Sequence, residues 1–581
     1  MPDSAISKTS AMAPARAPDA VRSRSTSLRA RGEPFVWLLG GALAFGVMMI
    51  VGFLLLVLWN GIAAFFPKPL AEVRLTDGSK LAGEPTRRER YPVTPEQLGK
   101  LASAPRAAIL AADGVSGRTL YRIGNYDIYN EDFRWVSDFE VTTVAYPAQL
   151  MFVERREWGP LVGSAVAMKL GNEAERPMAA FSAAAVTAAH REALARWERI
   201  RHLERGEIGR INHYLEQGRL RVRRAELRHG TASAEAQTAR AAAEEQAREL
   251  QKSYDAFSGE ARDLRQRDAT HLITFAEIGG KTKTLPLSGV VRMYAANDLH
   301  LMDKLAVYVS RWWEFLSDEP REANTEGGVL PAIFGTFAMT LLLVLVVAPF
   351  GVVTALYLRE YARQGRLVSI VRISVNNLAG VPSIVYGVFG LGFFAYILGG
   401  TIDQVFFSER LPSPTFGTGG LLWSSLTLAL LTVPVVIVAT EEALAAVPRS
   451  MREGSLACGA SKWQTIRNIV LPRAMPGIMT GIILAMARGA GEVAPLMLVG
   501  VVKLAPELPI DGFFPYIHLE RSFMHLGFHI FDVGFQSRNS EAGKPMVFVT
   551  TVLLVALVAA MNASAIIIRS RLKRKFQGSQ F

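Results

Sequence analysis

The sequence predicts an α-helical polytopic membrane protein: six transmembrane helices and a large α+β extracytoplasmic insertion containing a long helical hairpin. Three observations predict it. The 581-residue chain is 50% hydrophobic, and its apolar residues gather in long runs almost free of charge. Residues 60–327, between the first two runs, hold most of the charged residues. Lys and Arg beside the runs are biased to one side of the membrane.

A hydrocarbon core about 30 Å thick is crossed by roughly 20 helical residues. Phe35–Trp59 carries no charge and has aromatics near both ends. It is too long for a signal-peptide core and is expected to remain as an anchor. Val329–Tyr357 is the expected second span. Ile373–Ile402 and Leu411–Thr440 hold the third and fourth, Met475–Val501 is the fifth and Pro545–Ile568 the sixth.

The flanks set the orientation. Met1–Glu33 has six basic residues against three acidic, Glu441–Met475 five against three, and Arg569–Phe581 five against none. With six spans these segments share one face. The basic tails 1–34 and 571–581 and the loop 441–475 are therefore expected in the cytoplasm, and the insertion in the periplasm. The expected location is a bacterial inner membrane, multi-pass, with both termini cytoplasmic. The net charge of +12 follows from the same bias. No basic stripe with interleaved aromatics points to nucleic acid. A single cysteine, Cys458, forms no internal disulfide or Cys-rich metal site. No cofactor or metal is expected.

Within the insertion, Asp77-Gly78 sits between short alternating runs over Val73–Leu81, a hairpin signal. Leu120–Val153 alternates Tyr, Phe, Trp and Val, so several strands are expected, with more at Leu272–Ile278 and Thr282–Tyr294. Residues 178–267 are rich in strong helix formers, interrupted at His229-Gly230-Thr231, and predict two long helices joined by a turn. Met302–Leu316 is a helix bearing Trp312 and Trp313. It lies on the outer leaflet or in the core of the insertion. Gly280-Lys281-Thr282 lacks the earlier glycine of a phosphate loop, since Phe275 stands there. Any ATP is expected to be hydrolysed by a partner chain, so this chain is not itself an enzyme.

Arg488 and Glu492 are the only charges in the fifth run. An ionised residue at mid-membrane costs about 2.5–3.5 kcal/mol or more, so such residues face a wet path or one another. A purely structural i,i+4 pair is the plainer reading, but Arg before Glu is the weaker order for helix stability.

The loop after the fourth span reads Glu453-Gly454-Ser455, three residues, Gly459, nine residues, then Ile469, one residue, Leu471-Pro472. This spacing resembles the EAA loop of bacterial ABC importer permeases, with Gly454 and Ser455 in place of two alanines. Gly459 suits a left-handed turn. A second helix is expected to carry Trp463, Ile466 and Ile469 on one side and to stop near Pro472. Asn376–Gly387, with Asn377, Gly380, Pro382, Ser383 and Tyr386, resembles the phosphate permeases of both types, and Arg488–Leu496 is similar to the A-type family, PstA. The resemblance covers residues 328–570.

It implies the six-helix fold of ABC importer permeases and a permease subunit of an ATP-driven phosphate importer. The implied partners are a second, C-type permease subunit, two ATPase subunits docked on the 441–475 loop, a periplasmic phosphate-binding protein, phosphate, and membrane lipid. Arg488 would draw the anion in, and Glu492 would hold that Arg. Rival readings are a C-type subunit, a permease for another oxyanion, and a membrane-anchored sensor or scaffold working through the helical insertion.

Overall fold

The computed structural model describes residues 33–537 and 540–577. Most of the N-terminal basic tail, up to residue 32, and the last four residues lie outside the described residues. Among the described residues six helices are long and apolar enough to cross a membrane: Phe35–Ala64, Leu330–Tyr361, Ser383–Phe406, Leu421–Ala445, Lys462–Gly491 and Ser540–Arg571. The chain up to Val57 is a unit of its own, and Leu58–Phe581 forms the other.

Several boundaries differ from the sequence expectation, three of them for a clear local reason. The third span begins at Ser383, not Ile373. Residues Arg366–Leu378 form a separate helix, because Pro382 disfavours helical geometry at Val381 and offers no N–H. The fourth begins at Leu421, since Pro412, Pro414 and three glycines fill the preceding ten residues. That loop is organised by buried Asp403, whose carboxylate accepts from the backbone N–H of Thr415 at 2.9 Å and Gly417 at 2.6 Å. The fifth ends at Gly491, not Val501: Pro495 cannot donate to residue 491, and its ring would clash with that carbonyl. The sixth helix starts early, at Ser540, and runs to Gln577. A short helix, Leu526–Phe531, precedes it and was not foreseen.

The second, fourth and fifth spans form the core of the membrane region, with Met339, Leu343 and Val347 packed with Leu428, Val436 and Ala485. Small residues allow close approach, as where Gly481 faces Ala439 and Gly351 faces Val436.

The insertion holds two large antiparallel sheets and a two-stranded ribbon, Pro320–Arg321 paired with Glu326–Gly327. The first comprises β1 (Ala71–Leu75), β2 (Lys80–Pro92), β3 (Val115–Arg122), β4 (Phe133–Ser137) and β5 (Val141–Ala145), in the order β4-β3-β2-β1-β5. The second comprises β6 (Met151–Arg155), β7 (Leu161–Lys169), the short β8 (Arg176–Pro177), β9 (Leu272–Ala276), β10 (Thr282–Pro286) and β11 (Val290–Ala295), ordered β10-β9-β7-β6-β11 with β8 on β7. The helical hairpin rises through Ala183–Arg201 and Gly209–His229, turns at Gly230 (φ +91°), and returns as Ala234–Ala269. It leans on two loops of the membrane region. His213 stacks on Phe513 with centroids 3.8 Å apart, and Arg224 pairs with Glu409. The helix Leu301–Ser317 packs Trp312 and Phe315 against Phe65, while Met302, Val309 and Trp313 remain exposed.

The insertion joins the start of the second span. The far end of that span is tied to the 441–475 loop, where Glu360 accepts from Arg452 at 3.0 Å. The 27 helical residues Leu330–Leu356 separate the two by about 40 Å, so insertion and loop stand at opposite ends of the spans.

Candidate functional site: a docking elbow and an arginine junction

The elbow forms as its residues dictate. A helix, Arg449–Ala457, ends in a Schellman motif. Gly459 has φ +85°; its N–H bonds Leu456 O at 3.0 Å, and Ala460 N–H bonds Ser455 O at 3.2 Å. Ser461 then caps the next helix in a reciprocal box with Gln464. Ser455 Oγ lies 2.9 Å from Thr465 Oγ1, joining the two arms. Glu453, Gly454 and Cys458 are exposed.

Two expectations need correction. The second arm does not stop at Pro472. A π-helical stretch, Ile466–Val470, widens the helix ahead of the proline, and the helix continues through Leu471 and Pro472 into the fifth span. The wider turn relieves the clash a proline ring makes with the residue four back. Nor do Trp463, Ile466 and Ile469 form one free ridge. Ile466 is buried and Ile469 half-buried in this chain, whereas Trp463 on the second arm and Leu456 on the first are 55% and 49% exposed. The free apolar surface is therefore Trp463 with Leu456.

At the other end of the fifth span, Arg488 stands in the last helical turn, where a cation complements the helix dipole. Glu492 is not in the helix: it is the extended C-cap residue, and its N–H bonds Gly489 O at 3.3 Å. Arg488 Nε lies 3.7 Å from Glu492 Oε1, with the side chains 37% and 23% exposed. That is an ion pair too long to be a hydrogen bond, and Arg488 donates no hydrogen bond to any described residue. Its guanidinium is held on one side and open on the others.

The third span meets this turn. Tyr386 is buried, donates its hydroxyl to Leu378 O at 2.7 Å, and lies within the field of the Arg488 charge. Gly387 abuts the turn after Glu492 so closely that a Cβ would sit 2.7 Å from Pro495 Cα. Pro382 caps this helix and Ser383 begins it, with Gly380 in the turn before. Asn376 and Asn377 end the preceding helix with exposed side chains. Two motifs about a hundred residues apart thus form one junction.

A family model described as the binding-protein-dependent transport system inner membrane component matches residues 347–576. The chain is 37% identical over 204 residues to the probable ABC transporter permease protein YqgH of Bacillus subtilis (strain 168), covering 34% of this chain and 62% of that protein. It is 34% identical over 265 residues to the phosphate transport system permease protein PstA 1 of Mycobacterium tuberculosis (strain CDC 1551 / Oshkosh), covering 45% of this chain and 78% of that one. The chain belongs to the PstA-type permease family. A solved inward-facing structure of the MetNI methionine ABC transporter aligns with 42% of this chain and 94% of its own, at 21% identity and a TM-score of 0.29.

The matched part of this PstA-type permease holds both the elbow and the arginine junction. Sequence reading missed three residues that build them. Arg452 ties the elbow to the second span through Glu360 and to the end of the fourth through Val447 O and Leu444 O. Lys462 bonds the Glu360 carbonyl and lies 4.8 Å over the Tyr361 ring. Pro495 both ends the fifth helix and receives Gly387. The first two were visible only as basic residues around the small-residue run; their acidic partner lies a hundred residues away.

Proposed function

We propose that this chain is the transmembrane permease subunit of an ATP-driven phosphate importer. It forms part of the translocation path and couples to a separate ATPase. The observation that carries the reading is Arg488: a cation at the end of a membrane span, steadied by one carboxylate and otherwise free to donate. Such a forked donor set suits a tetrahedral oxyanion. Glu492 orients the arginine and moderates its charge between passages; Tyr386 and Gly387 fix the turn that carries both. Asn377, Gly380, Pro382 and Ser383 shape the hinge before the third span. Relatives bearing the phosphate permease name favour phosphate among oxyanions.

The elbow faces the cytoplasm with both termini, and the insertion faces the periplasm. Glu453, Gly454, Ser455 and Gly459 form the first arm, and Ile469, Leu471 and Pro472 lead the second into the membrane. Trp463 and Leu456 offer an apolar knob to a groove on an ATPase subunit. Two such subunits, a second permease of the C-type and a periplasmic phosphate-binding protein complete the transporter.

The test is uptake of labelled phosphate in cells lacking other phosphate importers, with sulfate and molybdate as competitors. Arg488→Ala is expected to cut uptake at limiting phosphate roughly ten- to a hundredfold, while deletion of residues 180–267 costs less. Normal uptake by Arg488→Ala, with the deletion inactive, would instead favour a scaffold acting through the hairpin.

A further inference from the structure

Where the insertion meets the membrane region, a cavity of about 500 Å³ lies between the first sheet, the end of the first span and the start of the sixth. Its walls fix its depth. The first span's helix ends at Ala64 and the sixth begins at Ser540. The cavity is lined by Ala63 and Phe66 from the one and by Ala542 and Pro545 from the other. It therefore sits where hydrocarbon gives way to headgroups.

The lining has two parts. Ala63, Phe66, Pro545 and Phe548 are apolar. The rest is charged: Lys68, Arg87, Arg122, Arg311, Arg321 and Lys544 stand against five carboxylates. Glu541 is shared by Arg87 at 3.3 Å and Lys544 at 2.5 Å. Burial pushes the Glu326 carboxyl up despite Arg122 at 2.7 Å. Arg87 and Lys544 keep their side chains 47% and 48% exposed, with N–H groups beyond those given to Glu541.

We propose that this cavity binds a phosphate group, carried either by a membrane phospholipid headgroup or by free phosphate. The exposed guanidinium of Arg87 and the Lys544 ammonium supply donors to the phosphate oxygens. The volume lies in the range of small-ligand sites, and the apolar wall beside the charges suits the glycerol and first methylenes of a lipid. The site is separate from Arg488 and stands whether or not the chain imports phosphate.

The experiment uses the full chain, purified in detergent and stripped of lipid. Phosphatidylglycerol, diacylglycerol and inorganic phosphate are titrated singly and in competition, with bound species counted by native mass spectrometry. Phosphatidylglycerol is expected to bind one per chain in preference to diacylglycerol. Arg87→Gln with Lys544→Gln is expected to weaken it at least tenfold. Ala542→Trp, which fills the cavity and keeps every charge, should do the same if the charge variant folds poorly. Displacement of the lipid by millimolar phosphate identifies free phosphate as the ligand; no displacement identifies the lipid. Equal retention of diacylglycerol and phosphatidylglycerol, or binding unchanged in Ala542→Trp, overturns the proposal.

Discussion

Gly387→Ala is the substitution whose effect follows most directly from the geometry. The added Cβ would stand 2.7 Å from Pro495 Cα and 3.0 Å from Pro495 O, where ordinary contact begins at 3.4 Å. Both contacts are backbone, so the turn after Glu492 must retreat by about 0.7 Å, or the third span must move away. Overpacking of this kind costs about 1–3 kcal/mol, and the displaced turn is the one that holds Glu492 against Arg488. Phosphate uptake is expected to fall roughly five- to a hundredfold, and the thermal-aggregation midpoint of the solubilised protein to drop. Gly392→Ala is the control: it lies on the same span and its Cβ meets nothing within 4 Å. Wild-type uptake by Gly387→Ala, or equal damage from Gly392→Ala, would refute the reasoning.

Other consequences can be checked independently. Trp463→Glu places a charge on the exposed knob and should leave membrane levels unchanged while reducing ATPase co-purification at least tenfold, as for an aromatic hot spot; undiminished co-purification would show that the knob docks nothing. In the insertion, Arg155 pairs with Asp127 at 3.1 Å with both side chains buried. Burial pushes the Asp127 carboxyl up, but hydrogen bonds from Arg155 and Lys283 outweigh it and hold it below the usual carboxylate range. Its stabilising contribution is therefore complete above the unfolded value of about 3.9 and lost as pH falls through the lower folded value. Asp127→Asn is expected to destabilise the insertion at neutral pH and to flatten the acid limb of a tryptophan-fluorescence unfolding curve; an unchanged limb would contradict that.

The spans were legible because an unbroken apolar run of sufficient length has few other uses. Their ends were not, because apolarity does not reveal where a helix breaks inside a run. Pro382 and Pro495 each broke one, while Pro472, which looked like a stop, was absorbed by a π-helical turn. The helical hairpin was legible from composition and Gly230. The order of strands in the two sheets was not, since pairing depends on long-range contacts such as β7 with β9 across the whole hairpin. Arg488 and Glu492 stood out as charges in an apolar run. Their placement on either side of a helix end, and the contact of Gly387 with Pro495, required the fold.

The central claim is that one open guanidinium at the end of the fifth span handles the anion. ATP-driven phosphate uptake by the reconstituted transporter tests it, comparing Arg488→Lys and Arg488→Ala at equal amounts of assembled complex. A charge-assisted hydrogen bond is worth about 1.5–3 kcal/mol, so Arg488→Ala should lose roughly ten- to a hundredfold of the uptake at limiting phosphate, with Arg488→Lys recovering part. Uptake by Arg488→Ala equal to that of the unaltered transporter would contradict it.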